Sequence, residues 1–184
     1  MSVGIASTQI LLILGFPLLG SALNGLLGPR LGRRFVNYAG TLSIFASFLV
    51  ACLMLSSVLG APAGHGSISI RLFQWLDLGS GNLSVGMDFT LDALSALMVM
   101  VITGVGFLIH VYSVGYMEHD EGIARFFSYM NFFVFSMLLL VLAADLVILL
   151  IGWALVALSS YLLIGFWHER KSAVLAARKA FITH

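Results

Sequence analysis

The run Leu146-Val-Ile-Leu-Leu-Ile-Gly-Trp-Ala-Leu-Val-Ala-Leu-Ser-Ser-Tyr-Leu-Leu-Ile-Gly-Phe-Trp167 carries no charged side chain along its whole length. As an α-helix it reaches across the roughly 30 Å hydrocarbon core of a bilayer, which takes about 20 apolar residues; soluble cores seldom need so long an uninterrupted run. Four runs of the same kind precede it: Thr8 to Leu27, Tyr38 to Leu59, Phe89 to Met117 and Phe126 to Ala143. A last segment, Lys171 to His184, starts like a sixth span and is incomplete. The expected fold class is therefore all-α, a polytopic transmembrane helical bundle of five spans plus an incomplete sixth, in a single transmembrane domain over residues 1–184.

Composition agrees. Hydrophobic residues make up 60% of the chain and charged ones 9%, whereas a soluble domain carries about 25% charged residues. A net charge of +1 points neither to nucleic acid nor to an acidic partner. The single cysteine, Cys52, cannot form an internal disulfide, so compartment has to be read from topology. No Lys or Arg precedes the apolar run Ile10–Leu27, which reads as a retained span and not as a cleaved signal.

Local features refine the picture. Pro17 is expected to bend the first span. Between the second and third spans lies Ala61–Met87, in which Ser67-Ile-Ser-Ile-Arg71 alternates polar and apolar residues, so a short β-hairpin is expected in this outer loop. Ala144-Asp145 is the whole link between spans four and five, which makes them antiparallel neighbours. Eight of the 9 Lys and Arg residues follow spans one, three and five: Arg30, Arg33, Arg34, Arg125, Arg170, Lys171, Arg178 and Lys179. Only Arg71 falls on the other side, so the positive-inside rule places the N-terminus outside.

Three segments in order then resemble a known family: Thr103-Gly-Val-Gly-Phe-Leu-Ile-His-Val-Tyr-Ser-Val-Gly-Tyr-Met117, Arg125-Phe-Phe-Ser-Tyr-Met-Asn-Phe-Phe133 and Ser160-Tyr-Leu-Leu-Ile-Gly-Phe166. The chain is similar, from about Leu91 to Phe181, to the N-terminal part of the L-type or chain 5 antiporter-like membrane subunit of NADH:quinone oxidoreductase, respiratory complex I. The resemblance implies a membrane-arm subunit associated with proton translocation, with no redox site of its own. It also implies residence in an energy-transducing membrane such as the bacterial inner membrane, beside other membrane subunits of the assembly and lipids, and away from nucleic acid. Family members bind no flavin, NADH or iron–sulfur cluster, and the sequence offers no cysteine cluster, glycine-rich phosphate loop or metal-spaced His pair. No catalytic residue, cofactor or metal site is therefore expected.

One departure stands out. The family places a proton-path glutamate directly after the Gly-Trp pair of the fifth span, and here Gly152-Trp153 is followed by Ala154. A methyl group cannot carry a proton. The family's membrane-buried lysines belong to later helices, and the segment Lys179-Ala-Phe-Ile-Thr-His184 begins like the family's sixth span. The chain is thus expected to lack the main proton-path residues, as the leading part of a longer or split subunit. Two alternatives stay open: a component of a cation/proton antiporter complex, and a non-transporting scaffold or assembly subunit.

Few titratable side chains enter the spans. His110 is a proton-path candidate because imidazole titrates near neutrality, although a structural role, hydrogen-bonded to a neighbouring helix, is favoured. Asp92 is the second candidate; with Asp88 it opens the third span, where a carboxylate caps free N–H groups and meets the positive end of the helix dipole. Asp145 has the same explanation in the fifth span. Gly104, Gly106, Ala154, Ala157, Ser159 and Ser160 are expected to let helices approach closely. Glu118 to Glu121 reads as a solvated loop, and Arg170, Lys171, Arg178 and Lys179 as anchors to anionic headgroups. Cysteines introduced at Ser80 and Glu121, with Cys52 replaced, should label from opposite membrane faces, Ser80 from outside and Glu121 only after permeabilisation; labelling of both from one face overturns the span count between them.

Overall fold

A computed structural model describes residues 3–59, 67–77 and 84–183; Ser80 and residues 61–66 of the loop between the second and third spans lie outside them. Helix α1 spans Val3–Leu26 and runs through Pro17 without interruption. A proline has no N–H, so the carbonyl four residues earlier, that of Ile13, loses its helical partner. Ser47 of helix α3 (Arg33–Leu59) supplies one: its hydroxyl donates to the Ile13 carbonyl at 2.9 Å in a buried position. Between these helices sits a single turn, α2 (Gly28–Leu31), opened by Pro29 and closed by Gly32. Gly32 has φ +84°, a left-handed conformation that suits glycine, and its N–H bonds back to the Gly28 carbonyl. Helix α3 thus begins five residues before the apolar run at Tyr38, carrying Arg33 and Arg34 below it.

The hairpin between α3 and the next helix is longer than the alternating residues alone suggested. Strand β1 (Ser67–Asp77) pairs antiparallel with β2 (Ser84–Asp92), in a register running from Ser67 opposite Asp92 to Asp77 opposite Ser84. Irregularities between Arg71 and Phe73 and between Gln74 and Leu76 break the ladder locally. The expected start of the third span at Phe89 is therefore wrong: Phe89 to Asp92 belong to β2, and helix α4 spans Ala93–Tyr116. Hydropathy reported burial correctly, since Phe89 is 3% and Leu91 1% exposed, but it could not distinguish a buried strand from a helix. The helix start is set by a capping box. The Asp92 carboxylate accepts from the Ser95 N–H at 2.7 Å, and the Ser95 hydroxyl accepts from the Asp92 N–H at 2.8 Å.

Helix α5 (Ile123–Leu142) lies at the centre and packs against α1, α3, α4 and helix α6 (Leu146–Ile164). Helix α7 (Lys171–Thr183) leans on α6, its Phe181 ring meeting Tyr161 edge-on at 5.8 Å. At the hairpin end the turn between α5 and α6 is tied to the strands: the Ala144 N–H donates to the Asp88 carbonyl at 2.9 Å, and Phe89 bridges to Ala143. Five of the described helices, α1, α3, α4, α5 and α6, are long and apolar enough to cross a membrane. The protein is an integral membrane protein.

The Ser47–Ile13 bond gives the first structural prediction. Interhelical hydrogen bonds in membranes contribute about 0.6 kcal/mol on average and up to about 1.7 kcal/mol, and Ser47→Ala should destabilise the bilayer-reconstituted chain within that range. In a Pro17→Ala background, residue 17 regains an N–H for the Ile13 carbonyl, so the same substitution should cost close to nothing. Reversible unfolding of the four variants measures the difference, and equal losses in both backgrounds would show that Ser47 does not compensate the proline.

Candidate functional site

Two apolar clusters divide the bundle. The one toward the hairpin includes Ile13, Ile44, Val99, Val134 and Leu138; the other, toward the arginine-bearing turns, contains Val36, Met117, Ile123, Phe127 and Phe166. Between them runs a layer of buried polar groups. Asn131 of α5 is fully buried; its amide nitrogen donates to the Phe127 carbonyl at 2.9 Å and its oxygen accepts from the Ser43 hydroxyl at 2.8 Å. Ser128 donates to the Ser21 carbonyl at 2.9 Å, fastening α5 to α1. Gly40 makes the close approach possible: a methyl group there would stand 2.6 Å from Phe127 Cδ1 and 2.9 Å from the Asn24 amide nitrogen.

His110 enters this layer from α4 with 0% exposure. Its Nδ1 lies 2.7 Å from the Gly106 carbonyl, and a carbonyl only accepts, so Nδ1 carries the proton and Nε2 presents a lone pair. The sequence-based expectation of a bond to a neighbouring helix is corrected here: the partner is one turn back on α4 itself, and the ring meets α5 edge-to-face on Phe127 at 5.8 Å. Nε2 has no partner among the described residues, and neither has the Asn24 amide, oxygen or nitrogen, nor Thr41 Oγ1, nor Asn37 Oδ1.

The residues singled out in the sequence do not converge. Asp92 and His110 stand 18 positions apart on one helical path, about 27 Å at 1.5 Å per residue. The Asp92 carboxyl is engaged in the cap, and hydrogen bonds from the Ser95 hydroxyl and N–H hold it below the usual aspartate range. Asp88 does not open a helix, as its position in β2 shows. Asp145 occupies the N-cap of α6 but makes no side-chain capping bond, so only the helix dipole explains it. Ala154 is exposed on α6, turned away from the buried face carrying Gly152, Ala157 and Ser159. Gly152 is the closest approach to α5, since a methyl group there would lie 2.9 Å from Leu140 Cα. What sequence inspection missed is Asn24, Asn37, Thr41 and Asn131. The available signal was an amide or hydroxyl side chain at similar depth in three apolar spans, where polar groups are costly.

At the arginine-bearing end, the turn from Glu118 to Glu121 is more than a solvated loop. The Asp120 carboxylate accepts from the Gly122 N–H at 2.7 Å and from the Trp167 indole at 3.1 Å, joining the α4–α5 and α6–α7 turns. Arg33 donates to the Glu118 carbonyl from α3. Arg125 lies 5.0 Å over the Phe166 ring and Arg170 5.3 Å over Trp167.

This arrangement defines a class: a polytopic helical membrane protein whose buried chemistry is a polar layer near the arginine-bearing ends of its spans. The comparisons narrow it. Residues 75–127 match the model described as NADH-ubiquinone oxidoreductase (complex I), chain 5 N-terminus, and residues 143–184 match that of the NADH:quinone oxidoreductase/Mrp antiporter transmembrane family. The chain belongs to this antiporter-like family of membrane proteins. It is 43% identical over 171 residues, 93% of its length, to NADH-quinone oxidoreductase subunit L of Mycobacterium tuberculosis. It is 39% identical over 95% of its length to the subunit L of Neisseria meningitidis, and 42% identical over 77% to NAD(P)H-quinone oxidoreductase chain 5 of a Synechocystis species, of which it covers 21%. The chain spans about a quarter of the two subunit L relatives, 26% of each. The fold is shared with a chain of an archaeal membrane-bound sulfane sulfur reductase, at a TM-score of 0.79 and 18% identity, covering 95% of this chain and 33% of that one. A chain of a Dietzia Mrp complex gives 0.72 and 22%, covering 94% and 17%.

The Asp120 tie is pH-dependent. The Gly122 N–H, the Trp167 indole, Arg125 and Arg33 together hold its carboxyl below the usual aspartate range. A depressed folded-state value means that the tie contributes fully above the ordinary aspartate value and is lost only as pH falls through the lower, folded-state one. The Trp167 indole N–H resonance should therefore stay fixed from neutral pH down to the ordinary aspartate range and move below it. In Asp120→Ala it should show no such acid transition; a transition in the ordinary aspartate range in the unsubstituted chain would contradict the tie.

Proposed function

We propose that the chain acts in the membrane arm of a complex I-like NADH:quinone oxidoreductase, in an antiporter-like unit associated with proton translocation. The observation that carries this is the 43% identity to a subunit L across 93% of the chain, with two family models matched in chain order. The membrane would be an energy-transducing one, with the N-terminus outside and the arginine-bearing turns inside. Other membrane subunits are its partners, supported by the broad exposed apolar surface of α6, where Leu146 is 68% and Leu150 58% exposed. Lipid headgroups meet Lys171, Arg178 and Lys179, all exposed on α7. Redox cofactors belong to other subunits in this proposal. Of the two proton-path candidates, His110 is the one with a free acceptor atom, while Asp92 serves as a cap.

A second reading is supported by the likeness of fold to a chain of an Mrp complex: a cation/proton antiporter complex working without redox subunits. Mild extraction of a tagged chain from its native membrane separates the two. Flavin- and iron–sulfur-containing subunits should co-purify with it. Recovery with membrane subunits alone would favour the antiporter complex, and a monodisperse chain without partners would overturn both.

A further inference from the structure

Two of the unpartnered side chains of the polar layer, His110 and Asn24, lie near one ring. Phe127 faces His110 on one side and Gly40 on another, where the Asn24 amide nitrogen also arrives. Helices α3 and α4 run antiparallel here, with Phe45 on Phe107 at 5.0 Å and Ile44 beside Gly106. One turn further along each helix, Thr41 comes to the level of His110. His110 Nε2 is an acceptor, the Thr41 hydroxyl is both donor and acceptor, and the Asn24 amide offers one group of each kind. No direct bond joins them. All four atoms are buried, and a polar group left unmet in a membrane interior is strongly disfavoured. A water molecule needs two to four polar partners to be held in a protein interior, and this set supplies them.

A further unpartnered group lies between this set and the arginine-bearing turns. Asn37, one turn before Thr41 on α3, has an unpartnered buried Oδ1 and lines a cavity of about 400 Å³ with Arg33, Arg34, Glu118, His119 and Ile123 at the inner end. Toward the opposite side, His110 borders a groove lined by Val105, Ile109, Met130, Phe133 and Met137, whose side chains offer water no strong hydrogen bond. The helices packed against α4 bring no carboxylate to His110: α3 carries Arg33, Arg34, Tyr38 and Cys52, and α5 carries Arg125 and Tyr129.

From this geometry we infer that Asn24, Thr41 and His110 form a binding site for internal water, connected through Asn37 to the arginine-lined cavity, so that His110 Nε2 is hydrated from the inner face. The inference rests on side-chain geometry and not on the proposed place of the chain in a respiratory assembly. Its failure would leave that proposal standing.

Solid-state NMR of the full chain in lipid bilayers tests it, with His110 signals identified by their absence in His110→Phe. The ring should show the Nδ1-protonated tautomer and receive magnetisation from water. Thr41→Val combined with Asn24→Leu should abolish that transfer, while Thr41→Ser, which keeps the hydroxyl, should retain it and controls for folding. Three results would each overturn the site: an Nε2-protonated ring, transfer from lipid acyl protons in place of water, or transfer that survives the Thr41→Val, Asn24→Leu pair.

Discussion

Hydrocarbon offers no hydrogen bonds, so each backbone carbonyl that a span leaves open must be met by another part of the protein. Pro17 opens one at Ile13, and Ser47 meets it. That contact fixes the sliding register of α1 against α3. With the register fixed, Asn24 comes to Gly40 and Ser43 faces α5, where Asn131 receives its hydroxyl. The polar layer follows from this alignment, because a shift by one turn, about 5.4 Å, would separate every one of these pairs.

Close approach does the rest. Inside a bilayer apolar surface gains little by leaving lipid, and helices associate where small residues let backbones come near. Gly40 serves α1 and α5, and Gly152 brings α6 onto the backbone of Leu140. The same rule explains why Ala154 packs against no helix among the described residues: it is small, but it lies on the face of α6 opposite Gly152. Residue size alone did not reveal the interface, since the orientation of α6 is fixed by which small residue finds a backbone to touch.

How much was legible in the sequence depends on which interaction each feature uses. The spans are written in continuous apolarity, which needs no tertiary information, and the five membrane-crossing helices correspond to the five runs read from it. Their ends are less visible. Asp92 and Ser95 stop the outer strand and start α4 by a local bond that hydropathy ignores, so Phe89 and Leu91 were counted into the wrong element. The arginines of α3 extend a helix beyond its apolar part, where hydropathy gives no sign of it. At the site, His110 was legible as a buried histidine, but its bond to Gly106 depends on ring orientation. The layer of Asn24, Thr41 and Asn131 depends on three helices meeting, and no window of one span contains it.

The bond between Ser21 and Ser128 joins residues 107 positions apart, which gives the layer a history as well as a geometry. Chains emerge at about 5–20 residues per second, so the first span waits on the order of 5–20 s for the helix that completes its polar face. Throughout that interval Asn24 and the Ser21 carbonyl lack their final neighbour from α5. The insertion machinery, or the second span, must shelter them until α5 arrives, and a pause in synthesis before residue 128 would leave a half-built bundle with its most water-seeking groups turned to lipid.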